Sequence, residues 1–304
     1  MNKLSTRQRV QILNALSEGM GVNAASRVSG ASKNTVLKLL ADVGAACAAY
    51  QDRVMCDLKC ARFEVDEILS FVGTKEANVK DSHPEGYGDC YTFTVIDPVT
   101  KLMPCWLVGT RSRESAFEFM ADLASRVSVR PQLTTDGFMA YPNAVDAAFK
   151  GNVDYGVLNK SYGNEPGFKE AKRRYSPSTM TKCEKIRECG NPAEKYISTS
   201  IIERSNLSLR MSNRRFTRLT NSSSRKIENH MHAISFYFMV YNFVKIHASI
   251  KTTPAMESGV TDFLWCMEDI VMMADTNSNK VVTAAAAKRT MTGEPADLTS
   301  RCQR

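Results

Sequence analysis

The sequence predicts an α/β fold in which a mixed sheet with flanking helices follows a small all-helical domain. In the first 50 residues, every periodic segment has helical spacing. From residue 61 onward, short runs rich in β-branched and aromatic residues alternate with helical segments. Their order is three strands, a helix, a strand, a helix and a strand. This order is typical of a mixed sheet with helices packed on its faces.

Three helices are predicted in residues 1–50. The first lies in LSTRQRVQILNALSEGMG, where Ser5 is the expected N-cap and Gly19 and Gly21 end the helix. VNAASRVSG forms a short second helix, and Ser32 caps a longer third helix, ASKNTVLKLLADVGAACAAY. The predicted core faces of the first and third helices consist of Val10, Leu13, Leu16, Val36, Leu39 and Leu40.

Two short helices, a tight SGAS turn and a third helix match the helix-turn-helix arrangement. The third helix would then lie in the major groove of DNA. The leading residues of this helix are suited to contact base edges and phosphates, and they are Lys33, Asn34, Thr35 and Lys38. A small three-helix bundle without DNA-binding function has a similar pattern and is the alternative.

The main domain is predicted over residues 61–265. FEVDEILSFVG, CYTFTVIDPVT and LMPCWLVGT are its first three strands, and the turn signal DPVTK joins the last two as an antiparallel hairpin. A helix in RESAFEFMADLASRV, a strand in PQLTTDGF, a helix in AVDAAFK and a strand in VDYGVLNKSY follow.

The remaining segments are a connection, two helices and a tail. Residues 160–200 are basic and rich in Gly, Pro, Ser and Thr, which indicates a long connection. Helices should follow from Ser200 and from about Arg225 to Ile246. Residues 275–304 have little to bury and are expected to form a mostly disordered tail.

Positive charge is concentrated in one part of the chain. The net charge of the whole chain is +8. Residues 160–226 contain 16 Lys and Arg, 6 Glu and no Asp, a net charge of +10 that leaves the remainder close to −2. A concentrated cationic segment favours a polyanion, most simply the DNA or RNA backbone. A solvated basic face without a partner is the alternative.

Cysteine usage and hydropathy predict a cytosolic protein without membrane segments. The nine cysteines are an odd number and lack the regular spacing of a secreted disulfide framework. Structural zinc is disfavoured, because the spacings Cys56 to Cys60 and Cys183 to Cys189 are not those of CxxC motifs and no His lies near them. The start, MNKLSTRQRV, is polar, and no apolar stretch approaches the ~18–20 residues that span a bilayer.

Three acidic residues lie near strand ends or on a neighbouring helix. Asp66 lies in the first strand, Asp136 ends the fourth, and Glu203 lies in the first turn of the helix STSIIERSNLSLR. Two Mg²⁺ ions, or Mn²⁺ as a substitute, need carboxylates that converge from separate elements, and these residues could supply them. In the alternative, strand alternation leaves either Asp66 or Glu67 solvated and pairs the other with a Lys or Arg.

The helix that carries Glu203 has a basic face. Helical spacing aligns Asn206, Arg210 and Arg214 with the acid, so a metal ligand and phosphate-binding arginines would share one surface. An ordinary solvated helix with an arginine-rich face is the alternative.

These features resemble a known family. DE in the first strand, TDGF after the fourth, and the run IIERSNLSLRMSNRRFTRLTNSSSRK followed by YNFVKIHASIKTTPAM are similar to the DDE transposases of bacterial insertion sequences. The resemblance covers residues 5–265 and is most specific over 200–256. It implies a ribonuclease H-like fold, with Asp66, Asp136 and Glu203 as the metal-binding triad.

The resemblance also implies an activity, partners and a location. The protein would bind the terminal inverted repeats of its element and catalyse Mg²⁺-dependent strand cleavage and strand transfer without a covalent enzyme–DNA intermediate. Because two DNA ends must be joined, a homodimer or higher oligomer is expected. The location would be the bacterial cytoplasm, in association with the nucleoid.

The sequence departs from the family in two respects. Related transposases often carry a zinc ribbon ahead of the helix-turn-helix, whereas this sequence begins almost directly with the helices, so recognition of the element ends is expected to be simpler or incomplete. Glu203 lies 67 positions after Asp136, a wide spacing that leaves Glu188 and Glu194 as alternative third acids. His247 matches the family pattern and is expected either to approach DNA or the active site or to lie in a packing position beside the aromatic helix.

Two other functions fit the same residues. One is a ribonuclease H-like nuclease that cleaves DNA but does not join it. The other is a non-catalytic helix-turn-helix regulator that binds DNA and has lost the chemistry.

Overall fold

The computed structural model describes residues 4–163, 179–217 and 221–276. Most of the predicted tail, residues 277–304, and the middle of the predicted connection, residues 164–178, lie outside this range. Within the described ranges, no helix combines the length and the apolar character needed to cross a bilayer.

The chain begins with the three predicted helices, α1 Thr6–Ser17, α2 Val22–Ser29 and α3 Lys33–Val54. Ser5 caps α1 in a capping box: its hydroxyl accepts a hydrogen bond from the N–H of Gln8, whose side chain accepts one from the N–H of Ser5. Ser32 caps α3 in the same position. All six residues predicted to form the core faces of α1 and α3 are buried.

Within the described ranges, six strands form one mixed sheet in the order β3-β2-β1-β4-β5-β6. β2 is antiparallel to both β1 and β3. β4 runs parallel to β1, β5 runs parallel to β4, and β6 is antiparallel to β5. This confirms the predicted fold class. The strands are β1 Arg62–Val72, β2 Gly88–Ile96, β3 Trp106–Gly109, β4 Gln132–Thr135, β5 Asp154–Gly163 and β6 Thr179–Cys189.

Helices cover both faces of the sheet. Phe63 and Val65 of β1 are buried in one core cluster together with residues of two helices, α4 and α5. Ile68, which points to the other face, is buried with residues of α6 and α7. The helices that follow α3 are α4 Arg113–Arg126, α5 Tyr141–Phe149, α6 Ser200–Ser212, α7 Ile227–Met239, α8 Pro254–Glu257 and α9 over residues 267–276.

Two details of the sheet differ from the expectations. The third strand begins at Trp106 rather than Leu102, because the side chain of Asn242 bonds both the N–H and the C=O of Met103, at 3.1 and 2.9 Å. The backbone of this buried segment is thus satisfied without a strand partner. β6, within the predicted connection, is an additional strand. Its basic, mostly exposed residues suit the edge of a sheet, where charge discourages pairing with other chains.

Gly44 allows α3 to approach α7 closely. A Cβ atom at Gly44 would lie 2.5 Å from Cβ and 2.6 Å from Cα of His232 on α7. In an open helix, Gly44→Ala would stabilise the protein by about 1 kcal/mol. Here, the collision with the α7 backbone should outweigh that gain, with a net destabilisation of about 1–3 kcal/mol in urea unfolding. Stabilisation would show that the three N-terminal helices do not pack as described.

Candidate active site

A cleft at the ends of β1 and β4 contains the two predicted aspartates. Glu64 of β1 pairs with Thr134 of the parallel strand β4. Asp66 and Asp136 each lie two residues beyond this pair, so they reach the same end of neighbouring strands. Asp66, Glu67 and Asp136 each offer a carboxylate oxygen, and these three atoms lie within 4.8 Å of one another. Such oxygens are the ligands that hard divalent cations prefer.

Two hydrogen bonds hold the carboxylate of Asp66 in position. Its Oδ1 accepts a hydrogen bond from the N–H of Glu67 at 2.9 Å, and its Oδ2 accepts one from Nδ2 of Asn206 on α6 at 2.8 Å. Burial, together with the charges of Glu67 and Asp136, raises the pKa of Asp66 to about 7. A bound cation would remove this penalty, so the donor set fits a metal ion.

Arg111 connects the other two carboxylates. Its Nε donates to Oε1 of Glu67 at 2.8 Å, and its guanidinium lies 3.7 Å from Oδ2 of Asp136 and stacks on the Phe138 ring at 4.4 Å. The Glu67 side chain is only 3% exposed. Arg111 was not among the predicted site residues, because nothing in the sequence pattern that follows β3 distinguishes it from other surface arginines.

Glu203 lies at the rim of the same cleft, in the first turn of α6. It forms an ion pair with Lys160 of β5, and it accepts a hydrogen bond from the Thr199 hydroxyl at 2.8 Å. It is not one of the three acids whose oxygens lie within 4.8 Å of each other. The structure thus brings Asp66 and Asp136 together and places Glu203 beside them, paired with a lysine.

The alternative third acids lie elsewhere. Glu194 lies in a short turn, 3.7 Å from Arg187, and Glu188 lies on β6. Neither is among the described residues that line the cleft. Glu184 of β6 does line it, where it forms an ion pair with Lys182.

Glu64 fixes the helix that carries Glu203. Its buried carboxylate accepts hydrogen bonds from the N–H groups of Ile201 and Ile202 at 2.8 and 3.0 Å. Negative charge at this position also complements the dipole of α6. Together with the bond from Asn206 to Asp66, this contact attaches α6 to β1 at two points. The sequence analysis missed Glu64, because the contact joins residues that are far apart in the chain.

The predicted DNA-binding residues occupy two regions. Lys33, Asn34 and Lys38 are exposed at the start of α3, whereas Thr35 is half-buried next to the Ser32 hydroxyl. Arg210 lies near the end of α6, as predicted. Arg214 does not continue that helical face, because α6 ends at Ser212. Arg214 instead lies in the turn that follows α6, and both Arg214 and Lys33 line a second groove.

His247 occupies a packing position. Its Nε2 lies 3.1 Å from the C=O of Tyr241, and its ring meets the Tyr241 ring edge-on at 4.5 Å. It is not among the described residues that line the cleft.

No protein-family model matches the chain, and no curated protein matches it. Similar solved structures include the piggyBac transposase synaptic complex with hairpin DNA, which is 11% identical with a TM-score of 0.39, over 97% of this chain and 77% of that chain. The Mos1 transposase paired-end complex with the left transposon end is 10% identical with a TM-score of 0.23, over 51% and 60% of the two chains. The Mos1 strand transfer complex is 9% identical with a TM-score of 0.23, over 79% of each chain.

Proposed function

We propose that the chain is a DDE-type DNA transposase of a bacterial insertion sequence. It would bind the terminal inverted repeats through residues 1–50 and cut and join DNA strands within residues 61–265. Because joining needs two DNA ends, we propose a dimer or higher oligomer on DNA. We place the protein in the bacterial cytoplasm, associated with the nucleoid.

One observation carries this proposal. Asp66 and Asp136 meet at the ends of two parallel strands, in a cleft that Glu203 enters from α6. Burial raises the pKa of Asp66, and the neighbouring carboxylates of Glu67 and Asp136 raise it as well, so a bound cation would be favoured at this position. We therefore propose that Asp66, Asp136 and Glu203 hold Mg²⁺, or Mn²⁺ in its place. Bound there, the ion would stabilise charge on the phosphate and favour ionisation of the attacking hydroxyl.

Lys160 and Arg111 would contact the DNA phosphate during the two chemical steps. To bind a metal ion, Glu203 must exchange its ion pair with Lys160, and the released ammonium of Lys160 can then contact a DNA phosphate. Arg111, which pairs with Glu67 and lies 3.7 Å from Asp136, would face the same phosphate. In cleavage, a water oxygen bonds to phosphorus and the 3′ oxygen leaves. In joining, the 3′-hydroxyl oxygen bonds to a target phosphorus and a target 3′ oxygen leaves. In both steps the proton of the attacking group passes to solvent, and the leaving 3′ oxygen takes up a proton from solvent to become a 3′-hydroxyl.

One feature favours the non-catalytic regulator as a second candidate. Lys160 and Arg111 already neutralise part of the acidic charge without a metal ion. In a regulator that had lost the chemistry, these pairs would be permanent, and the N-terminal helices would account for the whole function.

A cleavage and joining assay tests the proposal. The substrate is a plasmid that carries the DNA on both sides of the gene, incubated with the full chain and Mg²⁺, Mn²⁺ or EDTA. We expect nicked and joined products with Mg²⁺ and Mn²⁺ and none with EDTA. Cleavage without joined product would identify a nuclease. Binding of the plasmid without any metal-dependent product would identify a regulator.

A further inference from the structure

Arg215 is a largely buried cation that forms no ion pair with an acid in the described part of the chain. It lies in the turn after α6, where its Nε donates a hydrogen bond to the Ser224 hydroxyl at 2.7 Å. Among the described residues, no carboxylate forms an ion pair with it, and burial lowers its pKa to about 10. Burial of an unpaired charge is unfavourable, so a cation kept in this state indicates a missing anion.

Arg215 forms part of the wall of a basic groove between the starts of α2 and α3 and residues 221–225. Arg27, Lys33, Arg214 and Arg225 also line the groove, and all four are exposed. Among the described lining residues there is no Asp or Glu. The groove therefore concentrates five positive charges, one of them largely buried.

The start of α2 adds hydrogen-bond donors to this groove. Its N-cap is Gly21, which provides no side-chain cap, and its first turn contains no acidic residue. Gly21, Val22 and Asn23 all line the groove. The unpaired N–H groups of a helix N-terminus favour a phosphate, and here they lie beside the arginines.

We propose that this groove binds the sugar–phosphate backbone of duplex DNA, with Arg215 as the innermost phosphate contact. The proposal rests on the proposed function and adds a DNA-binding surface to it. The groove continues from Lys33 on α3 to Arg214 at the end of α6. A free phosphate would need only one or two of these cations, whereas a polyanion can engage the whole row.

The groove and the catalytic cleft lie at opposite ends of α6. From Glu203 to Ser212, the last residue of α6, the helix rises by about 13 Å, which equals roughly four base pairs of B-DNA. One duplex can therefore contact the groove and place a phosphodiester in the cleft. The groove would fix the distance between the DNA that α3 binds and the bond that is cut.

The test measures binding of a fluorescent random-sequence duplex by the full chain in EDTA, across a range of salt concentrations. The variants are the double change Arg27→Gln with Arg225→Gln, the single change Arg215→Met, and Lys59→Gln as a control. Lys59 is exposed and is not among the residues that line the groove.

We expect the double variant to bind about tenfold more weakly at physiological salt, with a salt slope reduced by about two. Arg215→Met should reduce the slope by about one. It should not lower the thermal midpoint without DNA, because it removes an unpaired buried charge and keeps the packed stem. Lys59→Gln should change neither quantity.

If the groove variants show the same salt slope of DNA binding as Lys59→Gln, the groove proposal is overturned. A lowered thermal midpoint for Arg215→Met would overturn it as well, because Arg215 would then be a structural residue. If the unaltered chain binds and cleaves DNA in either case, the proposed function stands and only the groove proposal fails. If the unaltered chain binds no DNA, both fail.

Discussion

Glu203→Gln is expected to reduce Mg²⁺-dependent cleavage by about 10³-fold, or about 4 kcal/mol of transition-state stabilisation, and Asp136→Asn should do the same. Each change keeps the shape of the side chain and removes the charge that would hold a metal ion. Glu184→Gln is the matched control, because Glu184 lines the same cleft but is paired with Lys182 on its own strand. Its rate should stay within about twofold of the unaltered chain. Rates are compared in a nicking assay at saturating DNA.

DNA binding in EDTA separates loss of chemistry from loss of folding, since none of these variants alters the residues proposed to bind DNA. Glu67→Gln resolves the remaining ambiguity, because Glu67 lies closer to the aspartates than Glu203 does. If Glu67→Gln abolishes cleavage and Glu203→Gln does not, the third ligand is Glu67 and the assignment of Glu203 is wrong. Activity that survives in Asp136→Asn would refute the metal site altogether.

Local sequence signals predicted much of the fold. Ser5 and Ser32 are helix caps whose hydroxyls bond N–H groups three residues away, so a short stretch of sequence is enough to identify them. The prediction that Asp66 and Asp136 lie close together required only two strands that each have an acid near the corresponding end. The parallel pairing of β1 and β4 places the two acids together.

The missed features depend on contacts between distant residues. In the sequence, nothing distinguishes Glu64 from the other acids of an apolar strand. Its role depends on α6, because the N–H of Ile201, 137 positions later, donates a hydrogen bond to it. Lys160 and Glu203 are separated by 43 positions, and Arg111 and Glu67 by 44. β6 has the composition of a polar connection, because an edge strand exposed to solvent lacks the alternating apolar pattern that identifies a strand. None of these contacts leaves a periodic or local signal in a single sequence.

Asp66→Asn is expected to stabilise the metal-free protein while it abolishes cleavage. The folded chain holds the Asp66 proton up to about pH 7, whereas an unfolded chain releases it near about pH 4. Between these values the folded state binds more protons, so stability falls as pH rises from about 4 to about 7. Above pH 7, ionised Asp66 lowers the free energy of unfolding of the unaltered chain by about 2–4 kcal/mol. The variant is free of this penalty but loses about 1 kcal/mol, because one hydrogen bond is altered. A net gain of about 1–3 kcal/mol at pH 8 should appear in urea unfolding.

Mg²⁺ should narrow this difference, since a bound cation favours the ionised carboxylate of Asp66. At ten times its dissociation constant, Mg²⁺ should stabilise the unaltered chain by about 1.4 kcal/mol and leave Asp66→Asn nearly unchanged. Asp146→Asn, a change to an exposed aspartate on α5, should respond to Mg²⁺ like the unaltered chain. Equal stabilisation of all three chains, or an Asp66→Asn variant less stable at pH 8 than the unaltered chain, would mean that Asp66 has a structural role. If Asp66 instead lowers stability without metal and is required for stabilisation by Mg²⁺, its role is to bind the ion.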